Sequence, residues 1–231
     1  MKGFALACLM AAGLSACAAP PKAHDWHDLV NVGDAGMRAR AYHDSGDYDR
    51  DVAAADAQAQ GWIAARAKTA SKPAIVLDID ETSLSNWPAM AADDFGYFPG
   101  GTCDVLPKGP CGAVAWEMSA RAAAIAPTLA LVKAAQAQGV AVFFVTGRHE
   151  SERAATARNL AQAGYANWSG LSLKPDAMHV MTASAYKAPV RADIEAQGYT
   201  IIANIGDQPS DLAGGHAERA FLLPNPFYRV P

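Results

Sequence analysis

The 231-residue chain lacks a membrane-spanning stretch: its N-terminal apolar run, Phe4 to Leu14, covers about 11 residues where roughly 20 are needed. It also lacks a concentrated run of Lys or Arg, and its formal net charge is -4. That argues against electrostatic tracking of DNA or RNA, which requires a basic patch facing the phosphates. Cysteine is scarce, with four residues, and no internal repeat is found despite Ala-rich segments that imitate one. What remains is ordinary globular material, 51% hydrophobic and 18% charged. A chain of this length buries a sizeable core and is expected to form one domain with embellishments.

The N-terminus reads as a targeting segment. Lys2 precedes the short apolar run, and Leu14-Ser15-Ala16-Cys17 follows, as in a secretory signal peptide with small residues at the cleavage site. Leu-Ser-Ala-Cys also resembles the bacterial lipobox, in which the Cys becomes the lipidated first residue. Residues 1–16 are therefore expected to be a lipoprotein signal peptide and 17–24 a lipidated tether. The chain would then be anchored through Cys17 in the bacterial cell envelope, with Ala18 pointing to the outer membrane. Cys103 and Cys111 stand in a Gly/Pro-rich segment of what would be an exported chain. They read as a disulfide rather than a metal site, since no His stands in that segment.

From Asp25 to about Ala70 the spacing predicts two helices, divided at Ser45-Gly46-Asp47. Buried strands are expected at Pro73–Asp78 and Val140–Val145, further strands at Thr200–Ile205 and Arg219–Leu223, and shorter ones at Leu171–Leu173 and His179–Met181. Helices are expected over Ala113–Gln138, interrupted by Pro127, over Glu150–Gln162, and over Ala183–Gln197, broken in its first half by Pro189. Strands alternating with helices predict an α/β fold, a parallel sheet with helices on both faces, preceded by an N-terminal helical addition. The irregular insert from 86 to about 126 is expected to be a small cap. Its Trp87, Phe95, Tyr97, Phe98 and Trp116 either stack on a substrate ring or pack the cap's own core.

Ligands of parallel sheets bind outside the carboxyl ends of the strands. Every polar cluster falls there: Asp78 and Asp80, Thr146-Gly147-Arg148, and Gly206-Asp207 with Asp211, joined by Lys187 on a helix. Burying unpaired carboxylates costs several kcal/mol or more, and a divalent cation with oxygen ligands offsets that cost. Each element alone has a bland reading: Lys187 as a solvated helix residue, Asp207 and Asp211 as turn and cap. Together they suit phosphoryl transfer. Asp78 can attack phosphorus, Asp80 can exchange protons with the leaving oxygen and water, and Thr146 and Lys187 can hold the phosphoryl oxygens and balance charge. His149 reads as a substrate contact or a solvated loop residue, and Arg191 as a partner for the acids or for phosphate.

Asp78-Ile79-Asp80-Glu81-Thr82, Thr146, Lys187 and Gly206-Asp207-Gln208-Pro209-Ser210-Asp211 stand in the order of the haloacid dehalogenase-like (HAD) superfamily. Within it the chain resembles acid phosphatases of subfamily IIIB, the bacterial lipoprotein and plant vegetative storage protein-like group. Leu84, Asn86, Asn204-Ile205 and Leu223-Pro224-Asn225-Pro226 add to the resemblance, and Met90 and Pro209 depart from it. The resemblance implies a HAD-like Rossmannoid domain over 25–231 that hydrolyses small phosphomonoesters with Mg²⁺. It implies Asp78 as nucleophile through an aspartyl-phosphate, and Asp80 as general acid/base. Thr146, Gly147, Arg148 and Lys187 would hold substrate; Asp78, the carbonyl of Asp80, Asp207 and Asp211 would hold the metal. The competing expectation is a non-catalytic surface or storage lipoprotein using the same fold as a binding scaffold.

Overall fold

The computed structural model describes residues 29–179 and 182–230. The expected signal peptide (1–16), the tether with Cys17, Trp26, and most of the short strand expected at His179–Met181 lie outside those residues. The elements run α1 (Val32–Asp44), α2 (Asp47–Arg66), β1 (Pro73–Leu77), β2 (Leu84–Ser85), α3 (Trp87–Ala92), α4 (Ala113–Ser119), β3 (Ala123–Ala124) and α5 (Ala126–Gln136). They continue as β4 (Ala141–His149), a 3₁₀ turn (Glu150–Glu152), α6 (Arg153–Gln162), β5 (Gly170–Lys174), α7 (Ser184–Ala196), β6 (Thr200–Gly206), α8 (Pro209–Leu212) and β7 (Ala220–Leu222).

Five strands make one parallel sheet in the order β5-β4-β1-β6-β7, with β1 central. Alternate residues of β1 serve opposite faces. Ile75 and Leu77 join the large core with Ile63, Leu131 and Leu160 from α2, α5 and α6; Ala74 and Val76 join a smaller one with Tyr186 and Ile194 of α7. Burial on both faces explains why these strands read as continuous apolar runs without alternation. Each fully buried Ile or Leu contributes roughly 1.5–3 kcal/mol.

Three helix expectations are corrected. The first helix starts at Val32, because the Asn31 side chain accepts N–H groups of Gly33 and Asp34 and so caps it; Leu29 and Val30 stay outside it and exposed. The helix expected over Ala113–Gln138 is two helices, separated by the left-handed Ala120 and by β3, which pairs with β2. Pro127 opens α5 instead of interrupting a helix, since the missing N–H is harmless in a first turn. Pro189 does not break α7; the helix runs through it, held by the buried face of Tyr186, Lys187, Arg191 and Ile194.

Residues 86–125 lie over the carboxyl ends of the strands and are closed by the Cys103–Cys111 disulfide. The aromatic alternatives divide. Trp87 stacks on His43 of α1 at 3.5 Å between ring centroids and meets Phe227 at 5.3 Å, packing this segment onto α1 and the C-terminal segment. Phe95 packs in that cluster while also lining the cavity beneath, together with Tyr97, Phe98 and Trp116.

Candidate active site

Loops leaving the central strands converge on a cavity of about 790 Å³ lined by Asp78, Asp80, Lys187, Asp207 and Asp211. Asp78 follows β1 directly, and its backbone N–H donates to Ile205 of β6 at 3.0 Å. Lys187, on the buried face of α7, ion-pairs with Asp78 Oδ1 and reaches Asp211 Oδ1 at 2.6 Å. Burial would lower the Lys187 pKa, but these two carboxylates outweigh it and hold the ammonium firmly protonated.

Asp207 follows β6 directly and is held on both oxygens. Thr82 Oγ1 donates to Oδ1 at 2.9 Å, and Gln208 Nε2 and Asn225 Nδ2 each donate to Oδ2 at 2.7 Å. Asp211, in the first turn of α8, accepts the Gln208 N–H at 3.0 Å and packs over Gly206. A Cβ at Gly206 would lie 2.5 Å from that of Asp211, so the glycine is what lets this turn close. Arg191 does not pair with the acids' carboxylates, as one sequence expectation had it. Its guanidinium donates to the carbonyls of Asp211, at 2.7 Å, Ala213 and Gly215, and so ties down the turn after α8, with Asn204 Nδ2 giving the Asp211 carbonyl a second bond at 3.0 Å.

Carboxylate oxygens of Asp78, Asp207 and Asp211 lie within 4.8 Å of one another. Burial, with Asp211 and Asp207 close by, pushes Asp78 well above the ordinary carboxylate range despite Lys187. Burial and the Asp211 charge likewise raise Asp207 against its three hydrogen bonds. Three buried acids have one ammonium among them, paired with Asp78 and Asp211 and not with Asp207, so the cluster is short of positive charge, and its all-oxygen donor set suits a hard divalent cation. The residues present fit the metal that such a site implies.

Asp80 is treated differently. Arg148 donates to it through Nη2 at 2.6 Å and Nε at 3.1 Å, and Asn86 Nδ2 adds a bond at 2.8 Å. Burial alone would raise this carboxyl; the Arg148 charge and the hydrogen bonds outweigh burial and bring it below its usual range. Arg148 was expected to hold substrate. Its side chain is instead 1% exposed and committed to Asp80, since a buried guanidinium requires a carboxylate partner. Thr146 is wholly buried at β4, its Oγ1 accepting the Arg148 N–H at 3.1 Å, and Gly147 and Arg148 form the cavity wall there. His149 lines the cavity as well, with Nδ1 3.7 Å from Asp176.

The family model described as "HAD superfamily, subfamily IIIB (Acid phosphatase)" matches residues 16–231. The chain belongs to that subfamily. It is thereby placed in a family of phosphomonoester hydrolases. The chain is 32% identical over 194 residues to "Acid phosphatase 1" of Solanum lycopersicum, covering 83% of this chain and 67% of that protein. It is 35% identical over 158 residues to "Vegetative storage protein 1" of Arabidopsis thaliana, covering 68% of this chain and 55% of that one. The fold matches the class C acid phosphatase from Bacillus anthracis solved with tungstate bound, with a TM-score of 0.66 and 24% identity over 86% of each chain.

Further residues complete this subfamily IIIB site; Glu81, Asn86 and Asn225 stand in the stretches that carry the resemblance, but the sequence gives them no role. Glu81, in the left-handed region at φ 53°, accepts from the Asn86 N–H at 2.5 Å and from Tyr228 O–H at 3.1 Å; burial pushes it up to about 8. Trp116 Nε1 donates to Asn86 Oδ1 at 2.7 Å, which orients the Asn86 amide toward Asp80. Asn225, confined between Pro224 and Pro226, was the most accessible to inference, because a rigid polar position beside a strand end invites a partner.

Proposed function

We propose that the chain is a Mg²⁺-dependent acid phosphatase that hydrolyses small phosphomonoesters through an aspartyl-phosphate on Asp78. The observation that carries this reading is the union, in one cavity, of a Lys187-paired Asp78, a separately held Asp80, and the buried acids Asp207 and Asp211. Asp78, Asp207 and Asp211, with the backbone carbonyl of Asp80, would hold Mg²⁺, which when bound supplies charge neutralisation for the anionic substrate.

Lys187 holds Asp78 Oδ1 and so orients the carboxylate for in-line attack on phosphorus. The P–O bond to the leaving group breaks as the Asp78 O–P bond forms, and Asp80 gives its proton to the departing oxygen. Asp80 then takes a proton from water as that water attacks the aspartyl-phosphate, releasing inorganic phosphate and restoring Asp78. The Arg148 clamp keeps Asp80 ionised at rest, suited to the second step. Its proton for the first step comes from solution or from a monoanionic substrate. A non-catalytic storage role is the second reading, favoured by the vegetative storage protein relative.

The deciding experiment incubates the protein with an aryl phosphate and Mg²⁺ and measures phosphate release from the wild type and from Asp78→Asn. Release abolished by Asp78→Asn and by EDTA is expected. Full activity in either case, or no release by the wild type, overturns the reading.

A further inference from the structure

Asn86 stands at the N-cap position of α3, where an Asn side chain ordinarily accepts N–H groups of the first helical turn. It makes no such bond here. Its side chain turns to the cavity instead: Nδ2 donates to Asp80 Oδ1 at 2.8 Å and to Glu81 Oε2 at 3.0 Å, and Oδ1 accepts from Trp116 Nε1 at 2.7 Å. An indole N–H can only donate and an ionised carboxylate can only accept, so these neighbours fix which end of the amide faces which. Trp116 belongs to α4, in the segment over the strand ends; it is buried and lines the same cavity as Asp80. The two oxygens of Asp80 are bonded unequally. Oδ1 accepts from Asn86 Nδ2, from Arg148 Nη2 at 2.6 Å and from Arg148 Nε at 3.1 Å, whereas among the described residues Oδ2 accepts from Arg148 Nε alone, also at 3.1 Å. An oxygen already receiving three N–H groups is the poorer place for a proton, so the proton that Asp80 exchanges resides on Oδ2.

We propose that Trp116 and Asn86 are positioning residues for the acid step: the indole fixes the amide, and the amide holds Asp80 Oδ1 so that Oδ2 presents the proton to the leaving oxygen. The inference rests on the phosphatase reading and adds two residues to it that act through Asp80. It also ties the alignment of the acid to α4, so that the segment covering the cavity takes part in the chemistry beneath it. The purely structural alternative is that Asn86 satisfies a buried indole N–H. Losing such a bond loosens the fold and lowers activity toward every ester alike.

The leaving group tells the two apart, because a poor one needs the proton in the transition state while nitrophenolate departs with little help. The test measures kcat/KM, which reports the first phosphoryl transfer, for para-nitrophenyl, phenyl and para-methoxyphenyl phosphate, using the full chain with Mg²⁺. In Trp116→Phe and in Asn86→Ala the nitrophenyl-to-methoxyphenyl ratio should rise about tenfold over the wild type, the scale of one hydrogen bond to a charged group. Taking the ratio within one preparation cancels the fraction of active protein, and a variant that does not unfold cooperatively leaves the decision to the other. Loss by one factor for all three esters, total loss included, or no loss at all, overturns the inference. A ratio raised in Asn86→Ala and unchanged in Trp116→Phe overturns the link through the indole. Should the wild type release phosphate from none of the esters, the phosphatase reading fails and this inference with it; wild-type release with unchanged ratios in the variants overturns this inference alone.

Discussion

Arg148 grips Asp80 through Nη2 at 2.6 Å and Nε at 3.1 Å, and so separates two acids that stand two positions apart in the chain. Asp78 is paired with an ammonium that it shares with Asp211; Asp80 has a guanidinium to itself. The first pairing leaves Asp78 among other acids, where a cation is needed. The second removes Asp80 from that cluster.

Replacing Arg148 should therefore strike Asp80 more than Asp78. In Arg148→Lys a point charge replaces the two-nitrogen fork, so Asp80 loses its fixed orientation. We expect kcat for an aryl phosphate to fall by about 10²-fold, the scale of a misplaced acid/base, while aspartyl-phosphate still forms and is trapped by rapid acid quench. Loss of trapping together with kcat would show that the clamp serves Asp78 as well.

Asn225 donates to Asp207 from outside the acid cluster, so its removal tests the metal assignment without deleting a carboxylate. Asn225→Ala should raise the Mg²⁺ concentration needed for half-maximal thermal stabilisation by about 10–100-fold. EDTA should abolish that stabilisation in the wild type. An unchanged Mg²⁺ midpoint would remove Asp207 from the metal site.

Asp56 supplies a pH dependence far from catalysis. It lies buried between α2 and α5, with Oδ2 accepting from Thr128 at 2.9 Å and Oδ1 without a donor among the described residues. Burial raises it to about 6, from an ordinary value of 3.8. Because the folded-state value is the higher, the folded chain holds this proton longer than the unfolded chain. Its contribution is full below 3.8 and is lost as pH rises through about 6. The loss amounts to about 3 kcal/mol. Asp56→Asn should flatten the decline in urea-unfolding stability across that window. An identical slope in the variant would refute the assignment.

Cys17 is proposed as the site of lipidation, on the Leu14-Ser15-Ala16-Cys17 pattern. Metabolic labelling with a radioactive fatty acid in a bacterial host should mark the wild type and not Cys17→Ser. The variant should leave the membrane fraction. Equal labelling of both would exclude the anchor.

The order and type of most elements were legible in the sequence, because β1, β4 and β6 bury both faces and write that burial as apolar runs ending in polar residues. Asp78 and Asp207 were legible because acids at strand ends have few inexpensive explanations, and Lys187 and Asp211 through the motif order they complete with them. The division of the Ala113–Gln138 stretch was not, since β3 exists through pairing with the distant Leu84 and Ser85, and local periodicity cannot register such a partner. Nor were the commitments of Arg148 and Arg191. Both residue types suit phosphate or carboxylate equally, and which one they serve depends on what lies opposite once the chain is folded. Sequence alone determined the kinds of group available at the carboxyl ends of the strands. Tertiary structure decided their pairing: charges buried together in low dielectric must find partners within hydrogen-bond distance, and only packing sets which are near enough.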